Sequence, residues 1–282
     1  EYVFRAFYAD GPGLRYSFPR QANARWFPTY TDLMTETDLE GTERSYLASE
    51  TSYRALRDFE RNNLLVPVVG DFGGECFAHL HKVISQQTQS CVAHAWVQAL
   101  RIGDHVDGRV SPELASRLFV YFNARAIHSA EHQDGGTFLR TCAQGLVRFG
   151  RPGEHLWPFE VTHINDHPSW KAYRAAYDWR GPRGYYRIAN GDLSSIRAAL
   201  ASGKPVVFGM DVDMAFLDNS GPNVIGPAEG AAVGGHAMCV VGYDGEDFEI
   251  VNSWGPTWRD GGFARLTVAR METATDLWAV DP

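Results

Sequence analysis

Between about residues 85 and 150 apolar positions recur at helical spacing; from about residue 205 they run in short β-rich stretches. In 91–101 (CVAHAWVQALR), Ala93, Ala95, Trp96, Ala99 and Leu100 fall together, which predicts a helix opening at Cys91. Further helices are predicted over 111–130 and 136–150. A short one is expected near 173, and another over 193–203, closing on Gly203. The remainder of 151–190 reads as loop. The runs AMCVVGYD and DFEIVNSW are split by a glycine-containing turn at 244–247 and predict a β-hairpin. A helical part over about 85–160 followed by a β part over about 190–282 predicts an α+β fold of two lobes with a cleft between them. Residues 1–65 stand apart: they open with Tyr2, Phe4, Phe7, Tyr8, Trp26 and Phe27, then carry a predicted helix over 42–62.

Three distant residues in this frame carry chemistry. His236 lies 145 residues after Cys91, and Asn252 lies 16 after His236. This is the order and spacing of a Cys-His-Asn nucleophilic site. The thiolate is the nucleophile, and a free thiol with pKa ~8.5 needs that value lowered. A helix N-terminus at Cys91 would favour the anion through its dipole and free N–H groups. His236 would pair with the thiolate as imidazolium and later protonate the leaving amine. Asn252 would orient the imidazole through its side-chain carbonyl. The predicted hairpin would hold His236 and Asn252 rigidly together. Gly234 and Gly235 would permit close backbone approach beside the histidine.

These blocks resemble the papain family of cysteine peptidases, in wording its bacterial and archaeal branch. GGHAMCVVGYD resembles the family's His strand, and IVNSWGPTWRDGGFARL its Asn-Ser-Trp-Gly block, with Trp258, Gly261 and Gly262 following. Residues 203–209 (GKPVVFG) resemble the strand before the His strand, and Asp134-Gly135-Gly136 the segment that pairs with substrate backbone. The resemblance runs from about Val66 to Phe263. It implies a papain-like peptidase domain over 66–282, the cysteine on a helical lobe and the histidine and asparagine on a β-rich one. It implies a peptide or protein substrate, no cofactor, and substrate contacts at Gly135, Gly136, Gly235 and Ala237. Trp254 would shield the Asn252–His236 contact from water. Residues 1–65 would be an N-terminal extension or a pro-segment-like region.

The chain departs from the family pattern ahead of the nucleophile. The family's oxyanion-donating glutamine stands six residues before the cysteine; here that position is Ser85. A one-residue shortening makes Gln86 the expected donor, with Gln87 and Gln89 as alternatives. Thr88-Gln89-Ser90 replaces Cys-Gly-Ser, and Val92 replaces an aromatic residue. The implied reaction is peptide hydrolysis through a thioester acyl-enzyme. The alternatives are an acyl-transferring ligase or transpeptidase, and a catalytically inactive binding domain.

Composition narrows the partners. The 282 residues are 44% apolar with a net charge of −8, which gives no footing for binding a phosphate backbone and argues against nucleic acid. No apolar run approaches the ~20 residues of a spanning helix. EYVFRAFYAD lacks the basic start and apolar core of a secretory leader. The four cysteines are too few for a disulfide-rich fold, which favours a cytoplasmic location or export without disulfides. The oligomeric state is not legible.

Other clusters have plainer readings. Cys142 and Cys239 are expected as small buried apolar groups, with a disulfide from Cys76 to either left open. Cys76, His79 and His81 lack a fourth ligand at a familiar spacing, so no metal is expected. Pro168 breaks the His163/His167 pair as a helical motif. His94 is expected to pack behind Cys91, not to act as base. His128, Glu131 and His132 read as a solvated loop, and Asp211 and Asp213 as a solvent-exposed strand end.

Overall fold

Ser90 starts the first helix of the core: its carbonyl accepts the His94 N–H at 3.1 Å, and α1 runs from Cys91–Val106. The structure is a computed structural model that describes residues 5–8, 14–17, 85–106, 114–178, 181–244 and 246–282. α1 has no Pro, and its Ala, Val, Leu and Trp positions before the terminal Val106 are buried on nearly every side, so it is a core helix. α2 (Arg117–Ala126) is shorter than the helix expected over 111–130. The Ser116 side chain accepts the Phe119 N–H and sets its start, and turns follow from Ile127. Residues 111–113 lie outside the described residues. α3 (Leu139–Phe149) likewise begins later than expected, because Gly135 and Gly136 are non-helical, and it ends at Gly150 in the left-handed region. α4 (Trp170–Ala176) and α5 (Leu193–Ala201) occupy the expected positions.

The strands are β3 (Gly184–Ile188), β4 (Val206–Val212), β5 (Val224–Ile225), β6 (Gly234–Asp244), β7 (Asp247–Val251), β8 (Phe263–Leu266) and β9 (Thr275–Asp281). They form one sheet in the order β3-β9-β4-β6-β7-β8-β5, antiparallel except for the β5–β8 pair. β3 lies in a stretch read as loop; it is a five-residue strand that pairs only with β9. Near the chain start, β1 (Arg5–Tyr8) and β2 (Leu14–Ser17) pair antiparallel. The helix expected over 42–62, and Cys76, His79 and His81, lie outside the described residues.

β6 explains how the halves join. Its residues Ala237, Cys239 and Val241 face a core shared with α1, α2 and α3, while Met238 and Val240 face a second core. The second core also holds Ile196 of α5, Leu266 of β8 and Met271 of α7 (Val268–Met271). β6 is therefore apolar on both faces, which is why AMCVV reads as an unbroken apolar run. The arrangement is α+β, with the helical part docked directly on one face of the sheet. Cys142 and Cys239 are buried as expected. Among the described residues no helix is long and apolar enough to cross a membrane.

Two polar expectations change. Asp213 is buried, not exposed: it caps the short helix α6 (Met214–Leu217) through the Phe216 N–H at 2.9 Å, accepts the Glu229 N–H at 2.7 Å, and pairs with Arg270 at 3.3 Å. Asp211 does remain exposed. Glu131 is also buried, against the expectation of a solvated loop, although His128 and His132 on either side are exposed.

Candidate active site

Cys91 is the first residue of α1 and is partly buried. The backbone N–H groups of Ala237, Val92 and Cys91 itself face its sulfur. Ala237 follows His236 on β6, so the thiol and the imidazole come from two elements packed against each other. Burial pushes the Cys91 thiol above its ordinary range, and those three N–H groups oppose the rise. This reverses the expected lowering: the helix terminus is present, but desolvation outweighs it.

His236 sits on β6 opposite Met210 of β4. Its Nε2 lies 2.7 Å from Asn252 Oδ1. The same oxygen accepts the Ser253 N–H at 2.7 Å, which fixes the orientation of the amide. Nε2 must then carry the proton, and Nδ1 is left with its lone pair. The asparagine is held in turn: its N–H donates to Gly262 O at 3.0 Å, one residue beyond β7. Trp254 lies nearly parallel over the imidazole, with centroids 4.6 Å apart and planes 23° apart. Trp258 and Phe216 pack edge-on against Trp254. This wall excludes water, and burial pulls the His236 pKa from 6.5 to about 4 against the opposing bond from Asn252.

The turn ahead of Cys91 is clasped to the asparagine block. Gln86 donates its backbone N–H to Ser253 O at 2.7 Å, and its Oε1 accepts the Ser253 hydroxyl at 2.5 Å. Its Nε2 donates one hydrogen to Thr88 O at 3.1 Å, leaving the second N–H of that amide. Gln87 and Gln89 are exposed. Gly255, beside Ser85, stands at φ +83, a conformation that favours glycine.

Residues 144–276 match the family model described as papain family cysteine protease, a span that holds His236 and Asn252 and begins after Cys91. Xylellain, a cysteine protease from Xylella fastidiosa, is 29% identical, with a TM-score of 0.65 over 70% of this chain and 82% of that one. Together these matches support a papain-like cysteine peptidase. An uncharacterized peptidase C1-like protein of Acanthamoeba polyphaga mimivirus is 28% identical over 68% of this chain and 66% of that protein. A cathepsin L-like peptidase of Aedes aegypti is 31% identical over 40% of this chain and 34% of that protein. The chain thus spans no more than about two thirds of the length of these curated relatives.

Near Cys91 and His236, Gly235 is exposed on β6, whereas Ala237 is buried with its N–H on the thiol. Gly135 and Gly136 border the nucleophile turn, where a Cβ on Gly136 would lie 3.8 Å from Gln89 O. His94 is fully buried and accounted for at both nitrogens. Nδ1 donates to Ser90 O at 2.9 Å, and Nε2 accepts from Arg117 Nη1 at 3.3 Å. Burial, then the Arg117 charge, takes its pKa to about 3. Arg117 is paired with Glu154. Residue spacing placed His94 behind Cys91 but gave no sign of Arg117 and Glu154, which reach it from other parts of the chain.

Proposed function

We propose that this chain is a cysteine peptidase that hydrolyses peptide bonds through Cys91, His236 and Asn252. The observation that carries this is the Asn252 oxygen shared by His236 and Ser253, which leaves Nδ1 as the basic nitrogen on the strand whose Ala237 N–H faces the helix-terminal thiol. Cys91 passes its proton to Nδ1 and its sulfur attacks the scissile carbonyl. The Cys91 N–H and the second Nε2 hydrogen of Gln86 receive the developing oxyanion. The imidazolium protonates the leaving amine, and a thioester remains on Cys91. A water that gives its proton to His236 then attacks the thioester, releasing the acid and restoring the thiol. Gly135, Gly136 and Gly235 supply backbone edges for the peptide, and Trp254 keeps the imidazole–amide contact dry. A fluorogenic peptide library identifies a cleaved sequence; Cys91→Ala and His236→Ala should then abolish turnover with folding retained. Cleavage at the wild-type rate by the Cys91→Ala chain would refute the assignment.

A further inference from the structure

Gln89, two residues before Cys91, donates its backbone N–H to Asp134, at 3.1 Å from Oδ1 and 3.3 Å from Oδ2. The Tyr121 hydroxyl donates to the same Oδ1 at 2.7 Å. That hydroxyl accepts the Gly136 N–H at 3.0 Å. One chain of hydrogen bonds therefore ties the nucleophile turn to the Gly135–Gly136 edge. Its middle member is rigid: Tyr121 is fully buried on α2, with the Arg125 guanidinium stacked 3.9 Å from its ring centroid. Arg125 is held in turn by Asn165 Oδ1 at 2.9 Å and by the carbonyls of Gln133 and Ile164. The edge itself has little stiffness of its own, being two glycines, one of them at φ +80.

We propose that Asp134 and Tyr121 are positioning residues, which fix the offset between the Gly135–Gly136 edge and Cys91 so that a peptide paired with that edge presents its carbonyl to the sulfur. The proposal rests on the peptidase reading above. It follows from the sharing of groups along the chain. The Gly136 N–H is taken up by Tyr121, which sets the plane of that peptide unit. Asp134 transmits the setting to Gln89, and so to the turn that opens α1. A displacement of about 1 Å at such an edge is enough to lose about a hundredfold in rate.

The test compares a reagent that uses the edge with one that does not. A peptidyl epoxide must pair with the edge to reach Cys91; iodoacetamide needs only the thiol. Tyr121→Phe and Asp134→Ala should each slow peptidyl-epoxide inactivation by about tenfold, the loss expected when a hydrogen bond to a charged group is removed. They should raise KM for a cleaved peptide, and leave iodoacetamide alkylation of Cys91 within about twofold of wild type. Asp134→Asn keeps an acceptor oxygen and should recover most of the lost rate. Equal slowing of both reagents would make the pair merely structural and overturn the proposal, as would unchanged epoxide rates. A wild-type Cys91 that reacts with neither reagent would overturn the peptidase reading together with this one.

Discussion

Mild acid should destabilise this protein, and three histidines, two buried and one partly buried, set the size of the effect. His94 is held neutral down to about 3, and His236 and His167 down to about 4, against 6.5 in an open chain. Burial is the leading cause for all three. Each folded value lies below its unfolded one, so between these limits the unfolded chain binds more protons. Stability then falls as pH drops from about 6.5 towards about 4. A histidine held from 6.5 down to about 4 represents about 3 kcal/mol over that window. His236 supplies that much and His94 at least as much; His167, only partly buried, adds less. The sum of about 6 kcal/mol compares with the 5–15 kcal/mol typical of whole domains. His163 works in the opposite sense, since Asp166 raises its pKa, but it is exposed and its pairing is weak. Asp213 opposes nothing in this window. Desolvation pushes it up, but the N–H groups of Phe216 and Glu229, and then Arg270, bring it below 3.8, so its contribution is lost only at lower pH. Urea unfolding from pH 7 to pH 4 should give a slope of two to three protons taken up on unfolding near pH 5, and His94→Gln should remove one of them. A slope below about one proton would show that these rings titrate normally when folded, and would refute the reasoning.

Two substitutions separate the supporting roles. Asn252→Ala should lower kcat/KM by about tenfold to a hundredfold, less than His236→Ala, because it strips the acceptor from two donors but leaves the base; loss equal to that of His236→Ala, measured by steady-state kinetics, would contradict a purely orienting role. Gln86→Ala should lower kcat by about 10²–10³ with KM little changed, while Gln87→Ala and Gln89→Ala stay near wild type; a silent Gln86→Ala beside a damaging Gln89→Ala would move the oxyanion donor to Gln89.

The hairpin and the Cys91 helix were legible because local pattern decided them: β6 is apolar on both faces, and α1 carries alanine and bulky apolar residues at helical spacing. What escaped depends on partners far along the chain. Three glutamines precede Cys91, and the sequence ranks Gln86 first only by assuming a one-residue shortening; its bond from the Ser253 hydroxyl, 167 residues away, was not legible. Asp213 looked like the exposed end of a strand, yet Arg270, 57 residues on, supplies the charge that lets it be buried. Tyr121 lies in an apolar helical run, and nothing in its spacing announces a bond to Gly136. The helix lengths erred for a related reason. Periodicity carried 111–130 and 136–150 too far, whereas the observed limits follow from the Ser116 cap, the turns after Ile127 and the backbone of Gly135 and Gly136.

The direction of the Cys91 pKa was the deeper miss, and it changes how the site is to be understood. A helix N-terminus and a neighbouring histidine suggest a standing thiolate–imidazolium pair. Burial instead raises the thiol and lowers the imidazole, so both shifts favour the uncharged forms. In the proposed mechanism the thiolate would then form by proton transfer to His236, in a sulfur environment already lined by three N–H groups. Asn252 matters more in such a site than in a charged one, because it keeps the proton on Nε2 and the lone pair on Nδ1 while the ring is neutral. The same burial that holds the His236 ring neutral down to about 4 also loads the folded state with uncharged histidine. Acid is therefore expected to cost stability over the same range in which the His236 ring stays neutral.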